Sequence, residues 1–218
     1  MTFNRHLRRT VGSDMSSVEP MNAAVITDDQ FLLREMRVVC SLKLEGRGDK
    51  EIADLVVSKN LFQYPTERKL RKLANGCVRR IRAVDSDAIV RIVGHGEPEA
   101  AAQANLYTLM CAHPIVRDFM VNEIGRRFAE YDTVFGVQEM NAYITRLQVD
   151  HPDVAALADS TIAKIKQVLR KFLIECDMLA SAHSSTLLPV PLDFAVRDAI
   201  SAKGDIEALS AFGSQGVL

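Results

Sequence analysis

Along most of the chain, apolar residues return every third or fourth position, the spacing that gathers them on one side of an α-helix. Phe31, Leu32, Val38, Val39 and Leu42 predict a first helix over 31–44, stopped by Gly46 and Gly48. Asp49 is placed to cap a short second helix ending near Ser58, which turns Ile52, Leu55 and Val56 inward. Asn60, Tyr64 and Pro65 then mark a turn. Thr66 is placed to cap a third helix that continues to about Val84, with apolar positions Leu70, Leu73, Cys77, Ile81 and Val84 spaced 3, 4, 4 and 3.

Further helices are predicted over 85–93, closed by Gly94 and Gly96, and over 98–111, opened by Pro98 in its first turn. Others follow over 114–131, 137–149, 160–179 and 193–202, with one weakly packed turn beyond the last. Pro189 and Pro191 deny backbone donors, so 184–191 is predicted to be extended. Strand-like alternation is scarce and no repeat period is visible. The pattern predicts an all-α fold, a multi-helix bundle with an N-terminal helix-turn-helix-like unit. Its predicted organisation is a flexible basic arm over 1–28, a helical subdomain over 29–96 and a C-terminal helical bundle over 97–218. The boundary is set by the cluster of Gly94, Gly96 and Pro98.

Charge sharpens this picture. The 218 residues carry 27 Lys and Arg against 28 Asp and Glu, a net charge of −1 that excludes a uniformly basic nucleic-acid coat. The balance is uneven: residues 1–109 sum to +3 and 110–218 to −4. From Arg68 to Arg91 there are eight basic residues against two acidic ones, Asp85 and Asp87. Around the third helix, Arg68, Arg71, Lys72, Asn75, Arg79 and Arg82 fall within an arc of about 100°, opposite the apolar residues. Only Glu67 offers a local partner, which leaves like-charge repulsion uncompensated. A polyanion would relieve it. Double-stranded DNA is the expected partner, with Asn75 suited to an adenine edge; an acidic protein bound by the same face is the alternative. The four tyrosines are scattered and form no stacking platform for single strands.

Other chemistry is sparse. Cys40, Cys77, Cys111 and Cys176 stand singly, which reads as reduced core thiols. His113 and His151 precede prolines at turns, and His183 lies in a serine-rich loop. The Gly94-His95-Gly96 run could form a small anion nest, but reads first as a turn. Lys164, Arg170 and Lys171 have acidic neighbours and read as a solvated face. No catalytic site, cofactor or metal is expected. The uncharged run Ala100 to Val116 is 17 residues long and interrupted by Gln103, Asn105, His113 and Pro114, short of the roughly 20 apolar residues a bilayer requires. The opening MTFNRHLRRT lacks the apolar core of a secretory signal, so a soluble cytoplasmic protein is expected.

Three segments carry a resemblance: FLLREMRVVCSLKLEGRGDKEIADLVVSKNLFQYPTERKLRKLANGCVRRIRAV, QANLYTLMCAHPIVRDFMVNEI and STIAKIKQVLRKFLIECDML. Together they resemble the BrxA family of bacteriophage-exclusion (BREX) defence proteins over roughly Asp28 to Leu192. The matching features are Glu35 in the first helix, Arg79, Arg80 and Ile81 late in the third, and the pair Asp118 and Phe119. The resemblance implies a small, all-helical, cytoplasmic protein encoded with phage-defence systems, similar in part to the antitermination factor NusB and linked to DNA binding. It implies other phage-defence subunits as partners and offers no catalytic residues. An older description of such proteins as inner-membrane conflicts with the charge-interrupted segments above, and no membrane insertion is expected. The expected function is a non-enzymatic, double-stranded DNA-binding component of a BREX system; the alternatives are a protein-interaction adaptor of the defence complex or a NusB-like RNA-binding protein.

Overall fold

A computed structural model describes residues 20–213. Helices α1 (Leu33–Leu44), α2 (Asp49–Ser58) and α3 (Glu67–Val84) follow the predicted periodicity. The Thr66 hydroxyl accepts from the Lys69 amide at 3.4 Å, the cap expected of a threonine at that position. Helix α1 starts two residues later than predicted because Leu32 is left-handed, with φ at 49°. Helix α4 (Asp87–His95) begins after Ser86, whose hydroxyl accepts from the Ile89 amide.

Gly94 does not close α4; it lies inside the helix. A Cβ there would sit 3.3 Å from the Cys40 Cβ and 3.4 Å from the Ser41 amide nitrogen, so glycine is what lets α4 approach α1. With Gly94 and His95 helical, the glycine-histidine-glycine run forms no anion nest.

Helix α5 (Pro98–Ala112) occupies the middle of the bundle, with α3 and α4 packed on one side and α11 (Phe194–Ala202) against it as well. Residues Ala100 through Met110 are all buried, as befits a helix that is uncharged beyond Glu99 and mostly apolar all round. Gln103, Asn105 and Tyr107 each reach a partner on a neighbouring segment. Gln103 donates to the Pro191 carbonyl and accepts from the Asp193 amide, both at 2.9 Å, and so pins the segment leading into α11. Among the described residues, no helix is long and apolar enough to cross a membrane.

After His113 the chain runs as α6 (Pro114–Asp118), a π-helical stretch (Phe119–Gly125) and α7 (Arg126–Ala129), where an uninterrupted α-helix was predicted. Then come α8 (Val137–Asp150), the short α9 (Pro152–Ala155) and α10 (Asp159–Glu175). Helix α10 ends four residues earlier than predicted. Asp177 adopts the left-handed conformation at φ 57°, and the Met178 amide bonds back to the Leu173 carbonyl at 2.8 Å, a Schellman ending built without glycine. The extended 184–191 segment pairs briefly with the loop before α8, through Phe135 to Ser185 at 2.8 Å and Leu187 to Thr133 at 2.7 Å.

Both ends of the described chain are packed. Of the arm expected over 1–28, residues 1–19 lie outside the described residues. Met21, Ala23 and Ile26 are buried, and a 3₁₀ turn over Ala23–Thr27 rests on α10. At the other end a 3₁₀ segment, Ile206–Phe212, buries Ala208, Leu209, Ala211 and Phe212 against the π-helical stretch, more tightly than the weak turn predicted. The expected subdomain boundary falls in the turn between α4 and α5, and one apolar core, from Met21 to Phe212, is continuous across it.

The contact between the π-helical stretch and the C-terminal segment depends on Gly125, where a Cβ would meet Ser210 Oγ at 2.8 Å and the Ser210 carbonyl at 3.0 Å. Gly125→Ala is therefore expected to destabilise the fold by about 1–3 kcal/mol, the cost of overpacking, measured as a lower urea midpoint at unchanged slope.

Candidate nucleic-acid interface

The apolar side of α3 (Leu70, Leu73, Cys77, Ile81 and Val84) is buried, which turns the predicted polar arc outward. Arg68, Arg71, Lys72, Asn75, Arg79 and Arg82 are all exposed, so the six predicted residues do share one solvent face. Their repulsion is not left uncompensated, however. Arg71 pairs with Asp54 of α2 at 2.9 Å, Lys72 with Asp28 at 2.9 Å, Arg79 with Asp29 at 3.0 Å and Arg82 with Asp49 at 2.5 Å. These carboxylates come from α2 and from the segment before α1, which tertiary packing sets beside α3.

The four pairs hold unequally. The Arg and Lys side chains in them remain 49 to 70 % exposed, a setting in which an ion pair contributes only about 0–1 kcal/mol and can be exchanged for another anion. Asp49, half-buried, also meets a second cation. The Lys43 ammonium at 2.8 Å, ahead of Arg82, holds its carboxyl below the usual range. Asn75 lies with Arg71, Arg79 and Arg82 along a shallow groove of about 340 Å³, of which Asp49 forms one wall. Arg68 has no carboxylate within 4 Å among the described residues, and neither does Lys69, whose ammonium sits 4.1 Å over the Tyr64 ring. With Lys72, these two line a second groove of about 470 Å³ at the start of α3.

Arg79 is tied into the core through Asp29. That carboxylate is 4 % exposed and accepts from Arg79, from the fully buried Arg80 and, at 2.8 Å, from His113 Nε2. Arg80 also donates to the Gln30 carbonyl and, at 3.1 Å, to the Phe31 carbonyl, which takes a second bond from Asn105 at 2.7 Å. Burial alone would push the Asp29 carboxyl up; the His113 hydrogen bond and the Arg80 guanidinium outweigh it and hold the carboxyl well below the usual range. Sequence spacing gave no hint of this cluster, because its members lie 51 and 84 residues apart. Lys69 and Tyr64 were missed for a different reason: Lys69 sits on the flank of α3, outside the predicted arc.

The remaining reactive groups have structural surroundings. Burial pushes the Cys40 and Cys77 thiols up to about 12, leaving them unreactive. Glu123, buried in the π-helical stretch, accepts from Arg127 at 2.7 Å and Arg146 at 2.8 Å. Among the described residues no group of three or more His, Cys, Asp or Glu side chains is placed to hold a metal ion.

Comparison with known proteins agrees with this architecture. The family model of BrxA matches residues 23–204. The chain belongs to the BrxA family. A BREX protein BrxA from Bacillus cereus (strain H3081.97) is 27% identical over 188 residues, covering 86% of this chain and 94% of that protein. A second BREX protein BrxA, from Escherichia coli O9:H4 (strain HS), is 26% identical over 165 residues, covering 74% and 76% of the two chains. In three dimensions the fold matches the crystal structure of an uncharacterized protein from Magnetospirillum magneticum, with a TM-score of 0.76 at 17% identity over 88% of this chain and 98% of that one. The all-helical bundle is thus an architecture seen in a solved structure, and the BrxA match spans α1 through α11.

The Asp29 cluster yields a stability prediction. Asp29→Asn leaves Arg80 buried without its counter-charge and is expected to cost about 3–5 kcal/mol by chemical denaturation. Because the folded carboxyl is held low, its contribution is complete above about pH 4 and is lost as the pH falls toward the folded value. The variant should therefore lack that part of the acid sensitivity shown by the native protein.

Proposed function

We propose that this BrxA-family protein is a non-enzymatic component of a BREX phage-defence system that binds double-stranded DNA through the exposed face of α3. Its two named relatives are both BREX proteins, which supports the assignment to that system and to other defence subunits as partners. The observation that carries the DNA-binding reading is the face itself: five cationic side chains and Asn75 are presented to solvent along one helix whose opposite side is core. A helix of 18 residues spans about 27 Å, long enough to lie along a groove with several phosphates in reach. In the free protein Arg71, Lys72 and Arg82 face Asp54, Asp28 and Asp49, while Arg68 faces no carboxylate among the described residues. The short α2 followed by a capped α3 is consistent with a helix-turn-helix-like presentation.

The same pairing favours one other reading. A face that already accepts carboxylates could dock an acidic segment of a defence partner, which would make the protein an adaptor.

Fluorescence anisotropy with a labelled duplex over a range of salt concentrations separates the two. DNA binding predicts that log affinity falls linearly with log salt, with a slope of about −0.9 per phosphate contacted. Arg68→Glu with Lys72→Glu should weaken binding and flatten that slope by about 2. Those two positions are preferred to Arg79, whose side chain also serves the core cluster. Absence of duplex binding at low salt, or binding untouched by the double variant, would overturn the DNA reading; stronger competition by structured RNA than by duplex would reassign the face to RNA.

A further inference from the structure

The cations of α3 form a gradient. Arg71, Arg79 and Arg82 each face a carboxylate, whereas the first turn and a half carries Arg68 and Lys69 with none within 4 Å among the described residues, and Lys72 facing an Asp28 that is itself 68 % exposed. The groove that these three line, with Gln30, Leu32 and Tyr64, does not end at α3. The same Gln30, Leu32 and Tyr64 also line a further opening of about 530 Å³, so the two openings adjoin across these side chains and together make up a trough. Beyond Tyr64 its basic side chains are Arg34 and Arg37 of α1 and Lys171 of α10.

The carboxylates of this outer half do not neutralise it. Glu35 is buried and engaged by the Tyr64 hydroxyl at 3.1 Å. Glu175 stands 3.6 Å from Lys171 in an exposed pair one helical turn apart, which contributes a few tenths of a kcal/mol at most to holding that ammonium. Among the described residues Arg34 and Arg37 pair with no carboxylate; their guanidinium groups donate to main-chain carbonyls, those of Phe62 and Gly96. Lys171, exposed and paired with an acidic neighbour as the sequence predicts, also lines this trough.

From this we propose that bound nucleic acid does not follow the length of α3: its phosphate backbone crosses the first turns of α3 and continues along the trough, with Arg34, Arg37 and Lys171 taking the phosphates beyond Arg68, Lys69 and Lys72. A polyanion running along the paired half of α3 would have to lie against Asp49 and Asp54, while along the trough it meets Arg68, Lys69, Arg34 and Arg37, which pair with no carboxylate among the described residues, and only the exposed Asp28 and Glu175 beside Lys72 and Lys171. This rests on the reading that α3 binds DNA, and it names where the rest of the partner lies.

Two neutralising pairs separate the paths in the full chain: Arg34→Gln with Lys171→Gln in the trough, and Arg71→Gln with Arg82→Gln on the paired half. With the labelled duplex, the trough pair is expected to weaken binding about tenfold and flatten the salt slope by about 2, the other pair less than threefold. Arg34→Lys retains the charge while losing the guanidinium bond to Phe62, so near-native binding by that variant shows that charge, not folding, is read. The trough is overturned if its pair binds as the native protein does while Arg68→Glu with Lys72→Glu still abolishes binding; no duplex binding by any form overturns the underlying reading instead. Polyglutamate displacing duplex as effectively as unlabelled DNA would also overturn it, in favour of an acidic protein segment.

Discussion

The buried carboxylate of Asp29 is the contact on which the placement of α3 depends. An ionised pair such as Asp29 and Arg80 is costly to remove from water and persists only when the remaining hydrogen-bonding capacity is met. Here it largely is: Asp29 accepts from two arginines and a histidine, and Arg80 reaches two main-chain carbonyls as well. The donors come from α3 and from the turn between α5 and α6, and the acceptors from the segment entering α1. Three parts of the chain are thereby held in one register. The rotation of α3, and with it the direction its cationic face points, is set from inside the protein. The same cluster bears on the late start of α1, since the Gln30 and Phe31 carbonyls just before the left-handed Leu32 are bound by Arg80 and Asn105.

That constraint also reorganises the surface charge. On the isolated helix the basic residues repel one another, and local spacing offers no relief beyond Glu67. In the folded protein α2 and the segment before α1 bring four aspartates alongside, and each meets a different cation. What had read as a uniform strip becomes a graded one, shielded toward the C-terminal end of α3 and open toward its N-terminus. Long-range attraction of a polyanion depends on charge that is not already screened by neighbours, so the graded surface favours the open end and the trough that continues from it.

The central position of α5 accounts for two features of the chain that look contradictory in sequence. Its long uncharged run is interrupted by buried polar groups, and Gln103, Asn105 and Tyr107 each donate to a partner outside the helix. A helix surrounded by other helices needs no charged side, and its alanines let those neighbours come close. Gly94 and Gly125 serve close approach in the same way, each lying within a helical stretch where a backbone or a small side chain presses against it.

Helix periodicity, the cap at Thr66 and the apolar sides of α2, α3 and α10 were legible from the residues alone, because they depend on neighbours three or four positions away; the cap expected at Asp49 was not formed, as α2 starts on that residue after Gly48. The shared solvent face of Arg68, Arg71, Lys72, Asn75, Arg79 and Arg82 was legible for the same reason, and so was the BrxA resemblance. The early end of α10 was not, since Asp177 takes a conformation usually signalled by glycine, and neither was the helical role of Gly94, because a close approach is defined by the other helix. The Asp29 cluster, the aspartates that shield α3 and the trough across α1 and α10 depend on residues tens of positions apart. Sequence by itself determined which side of each helix must be buried; the tertiary structure decided which charges remain free, because neutralisation is a matter of distance in space.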